Sequence, residues 1–429
     1  MCAFINYIKQ SPSVGHMNIN EFSCKERFLR YVTYDTQSSE ESLTIPSTEK
    51  QKILGQLLLK ELQELGINAQ MDEHGYVYAT IPSNTNAPVP PIGFIAHMDT
   101  SPAVSGKNVR PIIHENYQGA DIILPKDNQR LCVSENPILQ TLIGHDIITS
   151  DGSTLLGADD KAGIAAIMDA ASLLMRHPEI VHGEIKIAFT VDEEVGRGIE
   201  KFDLKKFGAT YAYTVDGDTV GDIEVETFNA DKFKITITGH STHTGYAKGK
   251  MINATRIAAA FIDALPKDRW SPETTEGREG FVHVNTISGS EEQAVMTMVT
   301  RDFVEEELRA NELQIRELLD KTIAQYPGAK YTLKVIAQYR NMKKIIDQHP
   351  IVLANALEAV KRAGFTPNTK IVRGGTDGCA LSYRGIPTPN MFCGEYNFHS
   401  KTEFVSVQDM QATVKTIIEI CKVWAERSG

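Results

Sequence analysis

The sequence predicts a two-domain α/β protein: a catalytic domain with a mostly parallel, helix-covered mixed sheet, and an inserted smaller α+β lid domain with an antiparallel sheet. Three observations predict it. Short apolar runs bounded by turn residues alternate with helical periodicity in both the first and the last part of the chain. The stretch between them switches to apolar/polar alternation, the mark of strands with one wet face. And 429 residues exceed what one compact core accommodates.

In chain order, Leu54, Leu57, Leu58, Leu62 and Leu65 form one stripe of a helix that Ser47 is expected to cap and Gly66 to end. INAQMD and YVYATI are short strands on either side of His74-Gly75. A Pro-rich loop then leads into IGFIA, a buried-strand candidate. A helix is expected over Ala162–Met175, its apolar run broken by Asp169, followed by the buried runs IKIAFTV and TYAYTV. Near Thr227 the character changes. FKITITG alternates, a helix follows over Asn253–Leu265, and FVHVNTISGS, AVMTMVTRDF and YTLKVIAQY read as strands, with a charged helix over Glu305–Ile323 between the last two. After Lys344 the α/β pattern returns, with a helix over Ile351–Ala363, the strand TPNMFC, and a final helix over Val407–Glu426 whose one face carries Val407, Met410, Val414, Ile417, Cys421 and Trp424. The catalytic domain is thus expected at 19–226 and 345–429, and the inserted one at 227–344.

Composition narrows the function. The chain is 41% hydrophobic and 23% charged, an ordinary globular balance, and its net charge of -11 argues against nucleic acid or anionic membranes as partners. No apolar run reaches the ~18 residues of a spanning helix. The first 18 residues lack the basic region of a signal peptide and are set aside from the fold. Six scattered cysteines form no CxxC pair, which disfavours a thiolate zinc site and fits reduced thiols in a cytoplasmic protein.

The chemistry gathers where predicted strands end, the edge at which open α/β sheets bind ligands. IGFIA runs into His97 and Asp99, two apart and so on the same side of an extended backbone, with Asp99 placed to receive the second ring N–H of a metal-binding His97. Asp159 and Asp160 stand between a glycine loop and a helix start; one such acid alone would read as an ordinary N-cap. IKIAFTV runs into Asp192-Glu193-Glu194, three acids that repel unless a cation is near, and a metal would allow one Glu to ligate and another to act as base. TYAYTV runs into Asp216, and His399 follows TPNMFC. Each alone has a bland reading as a solvated or capping residue. Recurrence at five junctions does not. Carboxylates with imidazole and no thiolate suit zinc, manganese or cobalt, and two His with three carboxylates exceed one tetrahedral ion's needs, so a shared carboxylate would let them hold two ions.

IAHMDT, GADDKAG, VDEEVGRG, VDGD and NFHSKTE, in this order, resemble the dinuclear zinc peptidases related to aminoacylase and bacterial carboxypeptidase G. RFLRYVTYDTQS, THTGYAKGKMINA and VRGGTDG are similar to the tripeptide aminopeptidases of that family, and the likeness runs from about residue 20 to the end. The resemblance implies two Zn2+, replaceable by Co2+ or Mn2+, with Asp159 bridging, His97 and Asp216 completing one ion's protein shell, and Glu194 and His399 the other's. It implies that Asp99 orients His97, that Glu193 is the general base, that the Asp159-Asp160 bond is cis, and that His243 in THTG, or His240, steadies the oxyanion. Arg373, before the glycine loop GGTDG, is the first candidate to clamp a peptide carboxylate and Arg301 the second, each with a structural ion pair as the alternative, and Asn285 is a candidate for the peptide backbone. Relatives of this kind often dimerise through the inserted domain, so a homodimer is expected, and two domains joined near residues 227 and 345 could hinge over the substrate. Ser400 and Thr402 depart from the family's common Gly and His in the last motif, at positions that are not predicted ligands.

The expected activity is release of the N-terminal residue from tripeptides. The alternatives with the same metal set are a dipeptidase, a carboxypeptidase or an N-acyl amino acid hydrolase, and, in another class, a metal-free binding or scaffold protein. HExxH, GxSxG and a Walker GK[ST] are absent.

Overall fold

The computed structural model of the protein describes residues 21–427. The N-terminal segment set aside above lies outside the described residues. The described chain divides into two units: one runs through Glu224 and resumes over Ile346–Lys370 and from Gly385, and the other comprises Val225–Ile345 and Ile371–Arg384.

The first unit is built on a mixed sheet whose strand order is Asn68–Met71, Val77–Ile81, Ile185–Thr190, Ile92–His97, Tyr211–Gly217, Asn390–Phe392, Asp222–Thr227 and Asn368–Val372. The passage between the units falls within the last two. The strands Ile185–Thr190, Ile92–His97, Tyr211–Gly217 and Asn390–Phe392 are mutually parallel, so their carboxyl ends share one edge. Their apolar runs lack alternation because both faces are covered, and Ile92–His97 is buried at every position.

Helix Ala158–Arg176 is buried from Ala158 to Leu174. Helix Val407–Arg427 buries all six residues of the predicted stripe and also Ile418, Ile420 and Val423. Trp424 stacks on Tyr211, ring centroids 4.9 Å apart, and donates its indole N–H to the Tyr213 hydroxyl at 2.9 Å. Asp169, the charge that interrupts the predicted apolar helix, is buried and accepts the backbone N–H groups of Ser23 and Cys24 at 2.8 and 3.0 Å. It therefore satisfies free donors at the start of helix Cys24–Tyr31.

Two local expectations are corrected. The leucine-striped helix spans Gln51–Glu64, and Ser47 does not cap it; Ser47 donates its N–H and hydroxyl to Asp192 instead. A small sheet of Glu395–Tyr396, Phe404–Ser406, Ile147–Thr149 and Ile112–His114 had no counterpart in the sequence reading, because strands of two or three residues carry too little periodicity to register.

The second unit is a four-stranded antiparallel sheet in the order Phe281–Gly289, Gln293–Asp302, Asn229–Thr238, Lys330–Tyr339. Phe233, Ile235 and Ile237 point to one face and join Ile257, Phe261, Met296, Met298, Ile315 and Leu319 from the other strands and from helices Ala254–Ala264 and Glu305–Ile323 in a separate core. Segment 371–384, expected from sequence in the catalytic domain, belongs to this unit. Arg373 donates to the Gly277 and Glu279 carbonyls, Gly374 accepts from Phe228 N–H, and the Cys379 thiol donates to Thr227.

Gly163 lies where helix Ala158–Arg176 crosses strand Tyr211–Gly217. A Cβ there would collide with the Val215 carbonyl oxygen and the Asp160 carboxylate. Gly163→Ala is expected to lose about 1–3 kcal/mol through overpacking. The check is the thermal midpoint of purified protein; an unchanged midpoint would mean that helix and strand separate freely at this contact.

Candidate metal centre

The parallel register sets His97 opposite Thr190, so the loops that follow the two strands start side by side. His97 Nε2 lies 2.8 Å from Asp159 Oδ1 and 3.5 Å from Asp216 Oδ1. His399 Nε2 lies 3.0 Å from Asp159 Oδ2 and 2.7 Å from Glu194 Oε2. The five residues expected from strand ends as ligands are thus brought together, with each Asp159 oxygen turned to a different histidine.

Each member is held by its own support. His97 Nδ1 faces the main-chain carbonyl of Asp99 at 3.0 Å, and the Asp99 carboxylate at 3.4 Å. Donation of the Nδ1 proton to that carbonyl turns the Nε2 lone pair to the acids. The buried Asp99 carboxylate accepts the N–H groups of Glu193 and Glu194 at 3.0 and 3.2 Å. It therefore links the His97 strand end to the loop of the expected base, beyond the orienting role read from sequence.

The three adjacent acids separate by direction. Asp192 has a left-handed backbone, φ 59°, and its carboxylate is taken up by Ser47 and by Gln51 Nε2 at 2.7 Å. Glu193 and Glu194 then form a short 3-10 turn. At the helix start, the Asp159-Asp160 peptide is cis, as the resemblance implies. Asp160 accepts the His97 and Gly163 N–H groups at 3.0 and 3.2 Å, and also brings an oxygen within 4.8 Å of a His97 ring nitrogen and of Asp216.

Sequence reasoning passed over three further residues. Glu403, buried, accepts three N–H bonds, from Leu156, Gly157 and Asp159 at 2.7, 2.8 and 3.1 Å, and so shapes the turn that presents Asp159. Asn390 exchanges two hydrogen bonds with the Asp216 backbone, at 2.8 and 3.2 Å. A polar residue inside the apolar strand TPNMFC was its available signal. Glu395, also buried, offers an oxygen within 4.8 Å of those of Asp159 and Asp216. Asp218, beside Asp216, pairs with Lys370 at 2.6 Å. In the His399 loop the two departures from the family pattern bond to each other, with Thr402 N–H donating to Ser400 Oγ at 3.1 Å.

The centre attracts positive charge. Burial and the Asp159 charge push Glu194 up to about 8. Burial opposes ionisation of His399, yet Asp159 and Glu194 lift it to about 11. Glu194 Oε1 is buried with no hydrogen-bond partner. A carboxylate oxygen in that position calls for a cation. Imidazole with carboxylate donors, and an orphaned buried oxygen among them, fit a pair of divalent ions.

The remaining predicted residues lie in the second unit. His243 is exposed and accepts the Gly245 N–H at Nδ1, 3.1 Å, while the backbone of His240 bridges to Ile252. Arg301 sits over the rings of Phe281 and Tyr339, with its Nε buried and unpartnered. Arg373 is already engaged through both terminal nitrogens, with Gly277, Glu279 and Thr275. Asn285 is exposed at a β-bulge between Val284 and Thr286.

A model of peptidase family M20/M25/M40 matches residues 153–422. A peptidase T of Halothermothrix orenii is 48% identical over 409 residues, covering 94% of this chain and 99% of the relative. The crystal structure of aminopeptidase PepT from Bacillus cereus superposes with a TM-score of 0.71 at 25% identity, covering 94% of this chain and all of that one. A dinuclear metal-binding M20 peptidase from Bacillus subtilis shares the fold, with a TM-score of 0.63 at 16% identity over 94% of this chain and 98% of that one. Matched along nearly its whole described length by relatives of this kind, the chain belongs to peptidase family M20/M25/M40, in its peptidase T branch.

Proposed function

We propose that this chain is a zinc-dependent aminopeptidase that releases the N-terminal residue from tripeptides, and that it works in the cytoplasm. The observation that carries the metal chemistry is the Asp159 carboxylate, one oxygen facing His97 and the other His399, each histidine with its own further acid. The peptidase T relatives carry the substrate assignment. No described helix is long and apolar enough to cross a membrane, and the five described cysteines are free, in keeping with reduced thiols.

His97, Asp216 and Asp159 would hold one ion, and Asp159, Glu194 and His399 the other. Two such ions, when bound, polarise a carbonyl and acidify water. The protein's own groups then divide the work. Glu193, its amide held by Asp99, takes a proton from the attacking water and delivers it to the departing amine. His243 accepts a hydrogen bond at Nδ1, so a neutral ring carries its proton on Nε2 and can donate to a developing oxyanion. Arg301 is the first choice for a peptide carboxylate because its buried Nε lacks a partner. Arg373 supports the same region through the loop it ties down, and Asn285 offers its amide to the peptide backbone.

Metal removal by chelation is expected to abolish hydrolysis of Ala-Ala-Ala and re-addition of Zn2+, Co2+ or Mn2+ to restore it, with N-acetylated and four-residue peptides remaining poor substrates. Release of free amino acid measures this. Restored activity on a dipeptide or an acyl amino acid instead would keep the metal centre and replace the substrate. Glu193→Gln is expected to lower kcat by about 10²–10⁴-fold, the usual contribution of general base catalysis, with metal content unchanged. His399→Ala is expected to retain one ion where the parent protein holds two, as counted by elemental analysis; two retained ions would remove His399 from the ligand set.

A further inference from the structure

Glu395 has no role in the centre as described so far. It follows the turn after strand Asn390–Phe392, is 2% exposed, and offers an oxygen within 4.8 Å of Asp159 and Asp216. Its Oε2 is buried without a hydrogen-bond partner. The neighbouring buried acids differ in this respect: Asp99, Asp160 and Glu403 each accept at least two backbone N–H groups. On its other side Glu395 meets Asp160 and the Cys393 thiol, neither of them a cation. The Cys393 thiol is hydrogen-bonded to the Glu395 side chain, but Oε2 has no donor, and a buried carboxyl group with no paired cation either holds its proton or meets a metal.

We propose that Glu395 is an additional metal-centre carboxylate, supplying an oxygen donor beside Asp159 and Asp216 and shifting that half of the site towards hard, six-coordinate cations such as Mn2+ relative to Zn2+. The inference rests on the two-ion reading given above. With Glu395 the donors on the His97 side become one imidazole and three carboxylates. Zinc is satisfied by four mixed donors, whereas an oxygen-rich set with higher coordination suits manganese. Among the described residues, the donor group that contains Glu194 holds only His97 and Asp159 besides, with no such extra oxygen.

The test is metal competition on the full chain. Chelator-stripped protein is equilibrated with buffered Mn2+ and Zn2+ together, desalted, and its bound ions are counted by mass spectrometry; Mn2+ affinity is measured separately by paramagnetic resonance. Glu395→Gln keeps the shape of a neutral acid and removes the charge. It is expected to weaken Mn2+ binding relative to Zn2+ by about tenfold or more, while the Zn2+ content remains. An Mn2+ affinity and Mn2+/Zn2+ ratio within about twofold of the parent would overturn the proposal and make Glu395 a buried neutral acid. If Glu395→Gln does not fold, Glu395→Asp, which keeps the charge and shortens the reach, is judged by the same criterion. Parent protein that takes up neither ion would instead sink the two-ion reading itself.

Discussion

The Asp159 carboxylate, shared between His97 and His399, makes demands that much of the first unit is arranged to meet. Its N–H is held by Glu403, which also ties down Leu156 and Gly157, so the loop before the helix cannot swing away. The next residue, Asp160, holds His97 by its main-chain N–H. Gly163 lets the helix approach strand Tyr211–Gly217, which carries Asp216. A side chain that must face two partners in opposite directions tolerates little backbone freedom, and each of these contacts removes some of it.

Charge would otherwise make the arrangement unstable, because seven carboxylates gathered around two imidazoles repel one another in a low-dielectric interior. The structure sorts them by what they accept. Asp99, Asp160, Asp192 and Glu403 are bonded by N–H or hydroxyl donors and act as braces. Asp159, Glu194 and Asp216 face histidine nitrogens instead. The distinction separates residues adjacent in sequence, Asp159 from Asp160 and Asp192 from Glu194, by the direction in which each backbone segment turns.

The second unit follows different rules. One face of its antiparallel sheet packs on two helices, and strict alternation in Asn229–Thr238 encodes that face. His243 lies on a turn, Asn285 at a bulge and Arg301 on a strand, while Arg373 ties down the loop that holds Gly277 and Glu279.

The sequence by itself determined the class of fold, nearly all the long helices and strands, and the five strand ends at which acids and histidines gather, because apolar runs ending in acids or histidines are a one-dimensional signal of a parallel sheet with a polar edge. Spacing alone did not separate the histidine-facing acids from their neighbours, which only the family resemblance singled out, since side-chain direction depends on turns such as the left-handed Asp192 that no spacing encodes. Glu403 and Glu395 looked like ordinary acids until burial and their distant neighbours were known. Ser47 read as a helix cap because its proper partner, Asp192, lies 145 residues away. Local patterns carry local periodicity and propensity; which atoms meet across the sheet edge is set by packing, and only the tertiary structure decided it.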